Sequence, residues 1–437
     1  MVLSRRSMVA SLGALAPALT AARAQASPPA LRTPNPPDGK SPTEVARDEP
    51  YWRKIAAQYT VSDEFVNLEH GYYGIMSDPV RRTFHDNIDR LNEQNSHLLR
   101  GAYKKESEAI RQEVATQLGA RTEEIALTQS GTEALQNLIS GYHDLGPGDA
   151  VMYADLDYPD MTDTMDWLGD RRGVDVVTFS IPEPATRQAV LDTYASAFRD
   201  HPRVKLLLLS HVNNRTGLAT PVREIVAMAR EHEIDVIVDA AHSWGQLNFT
   251  IDELGADFVG FSLHKWIGAP LGTGFLYIRQ NRLSAIDVTY ADESHPPSDI
   301  RSRVVSGTRD VACVLSVPSA LDFHNSIGIE NKQARLQYLR DRWVNAVKDV
   351  DNIEILTPDE PSMYGAITSF RVTGRTTEED NAAIAKYLFD RYRVFTVERD
   401  GPVKGSCVRV TPALFTPLEH VDRLALALRD VAARFRV

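Results

Sequence analysis

The sequence predicts an α/β fold, a mostly parallel seven-stranded sheet in a large domain followed by a smaller C-terminal α+β domain, on three observations. Seven short apolar runs fall between residues 124 and 279 and are separated by helix-length amphipathic segments. Several runs are apolar on both faces, most plainly Val204-Lys205-Leu206-Leu207-Leu208-Leu209, which is how a parallel strand covered by helices on both sides reads. After about Asn325 the alternation stops and a different pattern begins. Alternating strands and helices build an open sheet, and the later stretch builds a second domain.

Taken in order, the runs are 124–129, 149–155, 174–180, 204–212, 235–240, 257–262 and 274–279. The second domain opens with a long polar helix over 330–350, followed by strands near 353–356, 366–372 and 407–411. A terminal helix carries Val421, Leu424, Leu428, Val431 and Phe435 at alternating spacings of three and four, one apolar face. The large domain with an N-terminal arm is expected over 51–324 and the small domain over 325–437.

Before these come two segments of another kind. Ser4-Arg5-Arg6-Ser7-Met8-Val9 is followed by an Ala/Leu/Gly stretch to about Thr20 and by two small-x-small sites, Ala22-Arg23-Ala24 and Ala24-Gln25-Ala26. Charge, apolar length and cleavage site in that order resemble a twin-arginine export signal over 1–26, with Met8 and Val9 where the pattern carries Phe and Leu. The alternative is the basic N-terminus of a cytosolic protein. Residues 27–50, with Pro28, Pro29, Pro34, Pro36 and Pro37, read as an extended linker. The apolar stretch is too short for a permanent membrane anchor.

Composition narrows the partners. The net charge is −11 over 437 residues, which on average repels phosphate backbones and anionic lipid surfaces and so argues against nucleic acid as a partner. Only Cys313 and Cys407 are present, too few for a disulfide framework. Each sits in an apolar run, as one pair or as two separate buried thiols. No metal site is expected.

Ligands of an open parallel sheet bind beyond the carboxyl ends of its strands. After the first run comes Ser130-Gly131-Thr132-Glu133, small residues opening a helix whose free N–H groups can hold a phosphate. After the second comes Asp157-Tyr158-Pro159, an aromatic ring either packed at the rim or lying beside a flat cofactor. The fourth ends in Asn213-Asn214-Arg215-Thr216-Gly217, where an amide can bond a phenolic oxygen or merely turn the chain. The fifth ends in Asp239-Ala240-Ala241-His242. A carboxylate there can keep a pyridine nitrogen protonated or cap a turn.

The sixth run ends in Ser262-Leu263-His264-Lys265-Trp266, with the glycine-rich 268–274 behind it. A lysine among apolar residues loses hydration, its pKa falls, and the neutral amine becomes a nucleophile toward an aldehyde. A nucleotide-binding enzyme is disfavoured, since no G-x-G-x-x-G turn follows the first strand and Gly146-Pro147-Gly148-Asp149 precedes a strand.

These stretches, with Asn67-Leu68-Glu69-His70-Gly71, Gly307-Thr308-Arg309 and Val408-Arg409-Val410, resemble the class V aminotransferases of fold type I, in the isopenicillin N epimerase-like branch. The resemblance runs from about Tyr51 to the end. It implies pyridoxal 5'-phosphate held as a Schiff base on Lys265, which also shuttles the proton. It implies Asp239 at the pyridine nitrogen, His242 and Asn214 near the ring hydroxyl, and Tyr158 on the ring, where many relatives carry His. Gly131, Thr132, Ser262 and His264 would surround the phosphate, and Thr308 would reach the phosphate of a neighbouring subunit, implying a homodimer. Arg409 would bind the substrate carboxylate, a task suited to a planar guanidinium.

The resemblance implies an amino-acid-like substrate and removal of its Cα proton, with three outcomes. Return of the proton to the cofactor gives transamination, return to the other face of Cα gives epimerisation, and loss of a β or γ substituent gives a lyase. Transamination is the expected outcome, with an epimerase or C–S lyase as alternatives. Desulfurase chemistry is disfavoured, because 394–400 lacks the sulfur-accepting cysteine and Cys407 shares a strand with Arg409. A rival of another class is an exported binding protein that kept the fold without catalysis. Twin-arginine export carries folded, cofactor-loaded proteins, so signal and lysine support each other. Arg215, Tyr72, Tyr73 and Arg309 stand as candidates for side-chain preference.

Overall fold

The computed structural model describes residues 33–290, 293–305 and 307–437. The export signal expected over 1–26 and the start of the linker lie outside the described residues. The rest of the linker is not extended throughout. Helices form at Pro42–Ala46 and Glu49–Ala56, the first closed by a capping box between Ser41 and Glu44. Trp52 and Ile55 are buried, and buried Arg335 bonds Glu49 and the carbonyl of Ala46. The proline at the first helical position starts that helix, because its missing N–H is one a helix leaves unpaired anyway.

A two-residue strand β1 (Val66–Asn67) precedes the large sheet. That sheet holds β2 (Ile125–Thr128), β3 (Ala150–Ala154), β4 (Asp175–Phe179), β5 (Val204–Ser210), β6 (Asp235–Asp239), β7 (Phe258–Ser262) and β8 (Gly274–Ile278). These are the seven strands the apolar runs predict. Their order is β2-β8-β7-β6-β5-β3-β4. Only β8 runs against the others, pairing antiparallel with both β2 and β7. Two reversals cancel, so β2 points the same way as the parallel strands and delivers its following loop to the same edge.

The two-faced apolar pattern has its cause in the packing. Leu207 and Leu209 of β5 join one buried core, while Leu206 and Leu208 join another on the opposite face. Side chains alternate across a strand, so a strand covered on both faces carries apolar residues at every position.

A third core belongs to the C-terminal part. There β9 (Ile353–Ile355), β10 (Thr368–Val372), β12 (Val397–Arg399) and β13 (Cys407–Val410) form an antiparallel sheet of order β12-β13-β10-β9. The expected long helix spans Ile329–Val347 and the terminal one Leu418–Arg434. A short strand β11 (Val394–Phe395) pairs parallel with β1. The N-terminal arm thus runs along the small sheet, and a bridge between Glu69 and Thr411 continues the pairing. By contact, Thr33–Val437 is one compact unit. No helix among the described residues is long and apolar enough to cross a membrane.

Candidate active site

The carboxyl ends of β2, β3, β5, β6 and β7 open onto one cavity of about 550 Å³. Its lining includes Thr132, Tyr158, Asn214, Asp239, His242, Ser262, His264, Lys265 and Arg409. Nine of the residues that the sequence nominates therefore meet in one place, although they are spread over almost three hundred positions.

Lys265 lies just past β7, where its amine is enclosed. Burial pulls it down to about 8, with the charge of Asp239 opposing that shift. Its Nζ is 3.0 Å from His242 Nε2. On the other side of that ring, the Trp266 indole N–H donates to His242 Nδ1 at 3.3 Å. Burial, then the charge of Lys265, holds His242 well below the ordinary histidine range. A neutral ring whose Nδ1 accepts carries its proton on Nε2. His242 therefore donates to Lys265, and only a neutral amine can accept.

Asp239 ends β6. One oxygen accepts the Ala241 N–H at 2.9 Å, and burial pushes the carboxyl up while that bond and Lys265 pull it down. The neighbouring Asp157 is a strut. It accepts N–H groups from Ala154 and Ser210, each at 2.8 Å, and so ties the ends of β3 and β5 together. Burial pushes it up to about 6.

In the same cavity begins the helix Gly131–Gly141, capped by Ser130, whose hydroxyl accepts the Glu133 N–H at 3.0 Å. Ser262 Oγ accepts the Gly131 N–H at 3.3 Å. A Cβ at Gly131 would meet Ser262 Oγ, with Ala241 Cβ and the Phe261 carbonyl carbon at 3.3 Å. Glycine keeps this helix start open and close to Ser262. His264, pulled to about 4 by burial, sits 3.4 Å through Nδ1 from the Thr273 carbonyl.

Part of the lining is basic. Arg409 projects from β13 and is buried, and both Nε (3.2 Å) and Nη2 bond the carboxylate of Glu69. Nη1 donates to the Asn214 carbonyl. Arg399 Nη2 reaches the same Glu69 at 3.3 Å. Sequence reasoning names Arg409 but gives no role to Glu69 or Arg399. The pairing of β1 with β11 and the bridge to Thr411 are what carry Glu69 there. The Asn214 side chain also lines the cavity, with its amide oxygen buried and without a partner among the described residues.

Other nominated residues fall elsewhere. Thr308 and Arg309 line a second cavity of about 540 Å³, and Arg309 bonds the carbonyls of Leu127 and Val305. Arg309 is thereby removed from the candidates for side-chain preference in the main cavity, where Arg215, Tyr72 and Tyr73 remain. Cys313 and Cys407 are separate, buried, free thiols. Neither lines the main cavity, and burial raises each to about 12.

A family model described as Aminotransferase class-V matches residues 82–390. Isopenicillin N epimerase of Streptomyces clavuligerus is 29% identical over 334 residues, 73% of this chain and 82% of that protein. Isopenicillin N epimerase of Amycolatopsis lactamdurans is 29% identical over 406 residues, 87% of this chain and 98% of that protein. Among solved structures, the apo cysteine desulfurase of Thermococcus onnurineus NA1 superimposes with a TM-score of 0.75 at 19% identity, covering 87% of this chain and 97% of that one.

Proposed function

The chain belongs to the class V aminotransferase family of pyridoxal 5'-phosphate enzymes, and from that premise we propose that it is an exported enzyme in which Lys265 moves the Cα proton of an amino-acid-like substrate. The observation that carries this reading is the buried Lys265 amine, pulled to about 8 and facing the Nε2 proton of His242 across 3.0 Å.

The residues fit the cofactor. Asp239 spends one oxygen on Ala241 and has the other for a ring N–H. Thr132 at the helix start, with Gly131, Ser262 and His264 around it, suits a phosphate, because free helix N–H groups and the dipole favour an anion. The unpartnered Asn214 amide and His242 suit a ring hydroxyl. Tyr158 borders the same space as a ring-sized apolar wall.

Bound there, pyridoxal 5'-phosphate supplies an aldehyde for amines and a ring that takes up the electron pair left at Cα. Asp239 holds a proton at the ring nitrogen. Lys265 Nζ, in the neutral form that burial favours, accepts the Cα proton and later gives one back. His242 orients that amine through its Nε2–H, and Trp266 fixes His242. Arg409 and Arg399 supply the charge that draws the substrate carboxylate.

Transamination is the outcome we assign, with Lys265 as the residue that would return the proton. A second reading, epimerisation, is favoured by the two epimerase relatives, one of them matched over 98% of its length. Neither cysteine borders the cavity, which weighs against a protein thiol accepting sulfur. Thr308, in its own cavity, is assigned to the cofactor phosphate of a second copy in a homodimer, and the N-terminal signal to export. Incubating the holoenzyme with amino acids in heavy water tests the reading. Deuterium at Cα supports it, with a 2-oxo acid product marking transamination and inverted chirality marking epimerisation. No exchange with any amino acid overturns it.

A further inference from the structure

Three guanidinium groups line the main cavity, and two of them, Arg399 and Arg409, share Glu69. The third, Arg215, makes no ion pair among the described residues, although it is only 8% exposed. Burying a charge without a counter-charge is costly, so such a group needs a strong reason to be there.

Arg215 is held firmly. Asn213 Oδ1 accepts the N–H groups of Arg215 at 3.0 Å and Thr216 at 2.8 Å, fixing the turn after β5. The Arg215 carbonyl accepts from the Ser369 hydroxyl. Nη1 donates to the carbonyls of Asp155 and Asp157. Gly401, at φ +101°, lies so close that a Cβ there would run into the guanidinium. Nε and Nη2 have no partner among the described residues, and the side chain borders the cavity.

The carboxylate whose charge interacts with Arg215 is Asp155, which Arg215 pulls down without an ion pair forming between them among the described residues. Its Oδ1 accepts the Ile181 N–H at 3.0 Å, and burial pushes that carboxyl up, toward the neutral form. Asp160 and Asp400 also border the cavity, and neither lies within ion-pair distance of Arg215. A guanidinium pinned by carbonyls on one edge presents its other edge as a planar fork, the geometry that matches a carboxylate.

We propose that Arg215 sets substrate preference by receiving a second carboxylate, so that the enzyme acts on amino acids with acidic side chains, the α-carboxylate lying toward Arg399 and Arg409. This rests on the function proposed above for the same cavity.

The test needs no turnover. Full-length protein incubated with pyridoxal 5'-phosphate, as wild type, Arg215→Met and Arg215→Lys, is titrated by calorimetry with glutarate, adipate and pimelate, and with the monoacids pentanoate, hexanoate and heptanoate. In the wild type one diacid should bind about tenfold or more tighter than the monoacid of its length, a difference that Arg215→Met abolishes and Arg215→Lys keeps in part. Equal binding of diacids and monoacids to the wild type overturns the proposal whether or not the variants fold, and so does an unchanged preference in Arg215→Met. The cofactor band is read on the same samples. Diacid preference without cofactor on Lys265 would overturn the function proposed above and leave the Arg215 assignment standing, whereas bound cofactor without diacid preference does the reverse.

Discussion

Trp266 donates its indole N–H to His242 Nδ1 at 3.3 Å, and through that bond it decides what His242 can do to the next residue inward. With Nδ1 occupied, the proton of the neutral ring sits on Nε2 and meets the Lys265 amine at 3.0 Å. A tryptophan thus biases a lysine toward its neutral form without touching its amine.

Trp266→Phe keeps the ring and removes the donor. His242 Nε2 is then free to accept a proton from a charged Lys265, so the lysine should titrate above its value of about 8. The loss of a hydrogen bond of about 1 kcal/mol should slow Cα proton exchange about fivefold at neutral pH. A pH profile of exchange separates this from mere loss of packing, which would lower the rate without moving the profile.

Capture of the cofactor aldehyde by cofactor-free protein should follow the neutral fraction of Lys265. Because burial lowers its pKa to about 8, the rate of capture rises with pH through that value and levels off above it. Stopped-flow absorbance across pH 6 to 10 reads the curve, and a midpoint at the ordinary lysine value would contradict the enclosed site.

Asp239→Asn leaves the shape of the pocket and removes the charge that holds a proton on the ring nitrogen. Cofactor should still attach to Lys265, while Cα exchange falls by about a hundredfold or more. Deuterium uptake at Cα, followed by NMR beside the cofactor absorbance, makes the comparison.

Glu69→Gln leaves Arg409 and Arg399 facing each other without a counter-charge. Breaking a buried pair in this way costs about 3 kcal/mol of stability, read as a lower urea midpoint with unchanged slope. An unchanged midpoint would mean that the carbonyl of Asn214 alone satisfies Arg409.

How much of this was legible in the sequence follows from what each element shows locally. The strands of the large sheet announce themselves where burial on both faces makes consecutive residues apolar, as at Leu206 to Leu209 of β5. β12, Val397–Arg399, carries Glu398 and Arg399 and gave no such signal, and the two-residue β1 is too short to give one. The helix at Pro42 was hidden by the prolines around it, although Ser41 and Glu44 already had capping-box spacing. Lys265, Asp239 and His242 were readable as groups placed at strand ends. Glu69 was not, because its meaning lies in a contact with Arg409, 340 positions away, that only the pairing of the arm with the small sheet creates.

The central claim is that Lys265 carries the cofactor, and borohydride reduction followed by mass spectrometry of the lysine-bearing peptide tests it most directly. The purified protein should be yellow, lose its near-visible band on reduction, and retain the pyridoxyl phosphate mass on Lys265, with no labelled peptide in Lys265→Ala. A protein that stays colourless after incubation with pyridoxal 5'-phosphate, or a label on another lysine, would contradict the account.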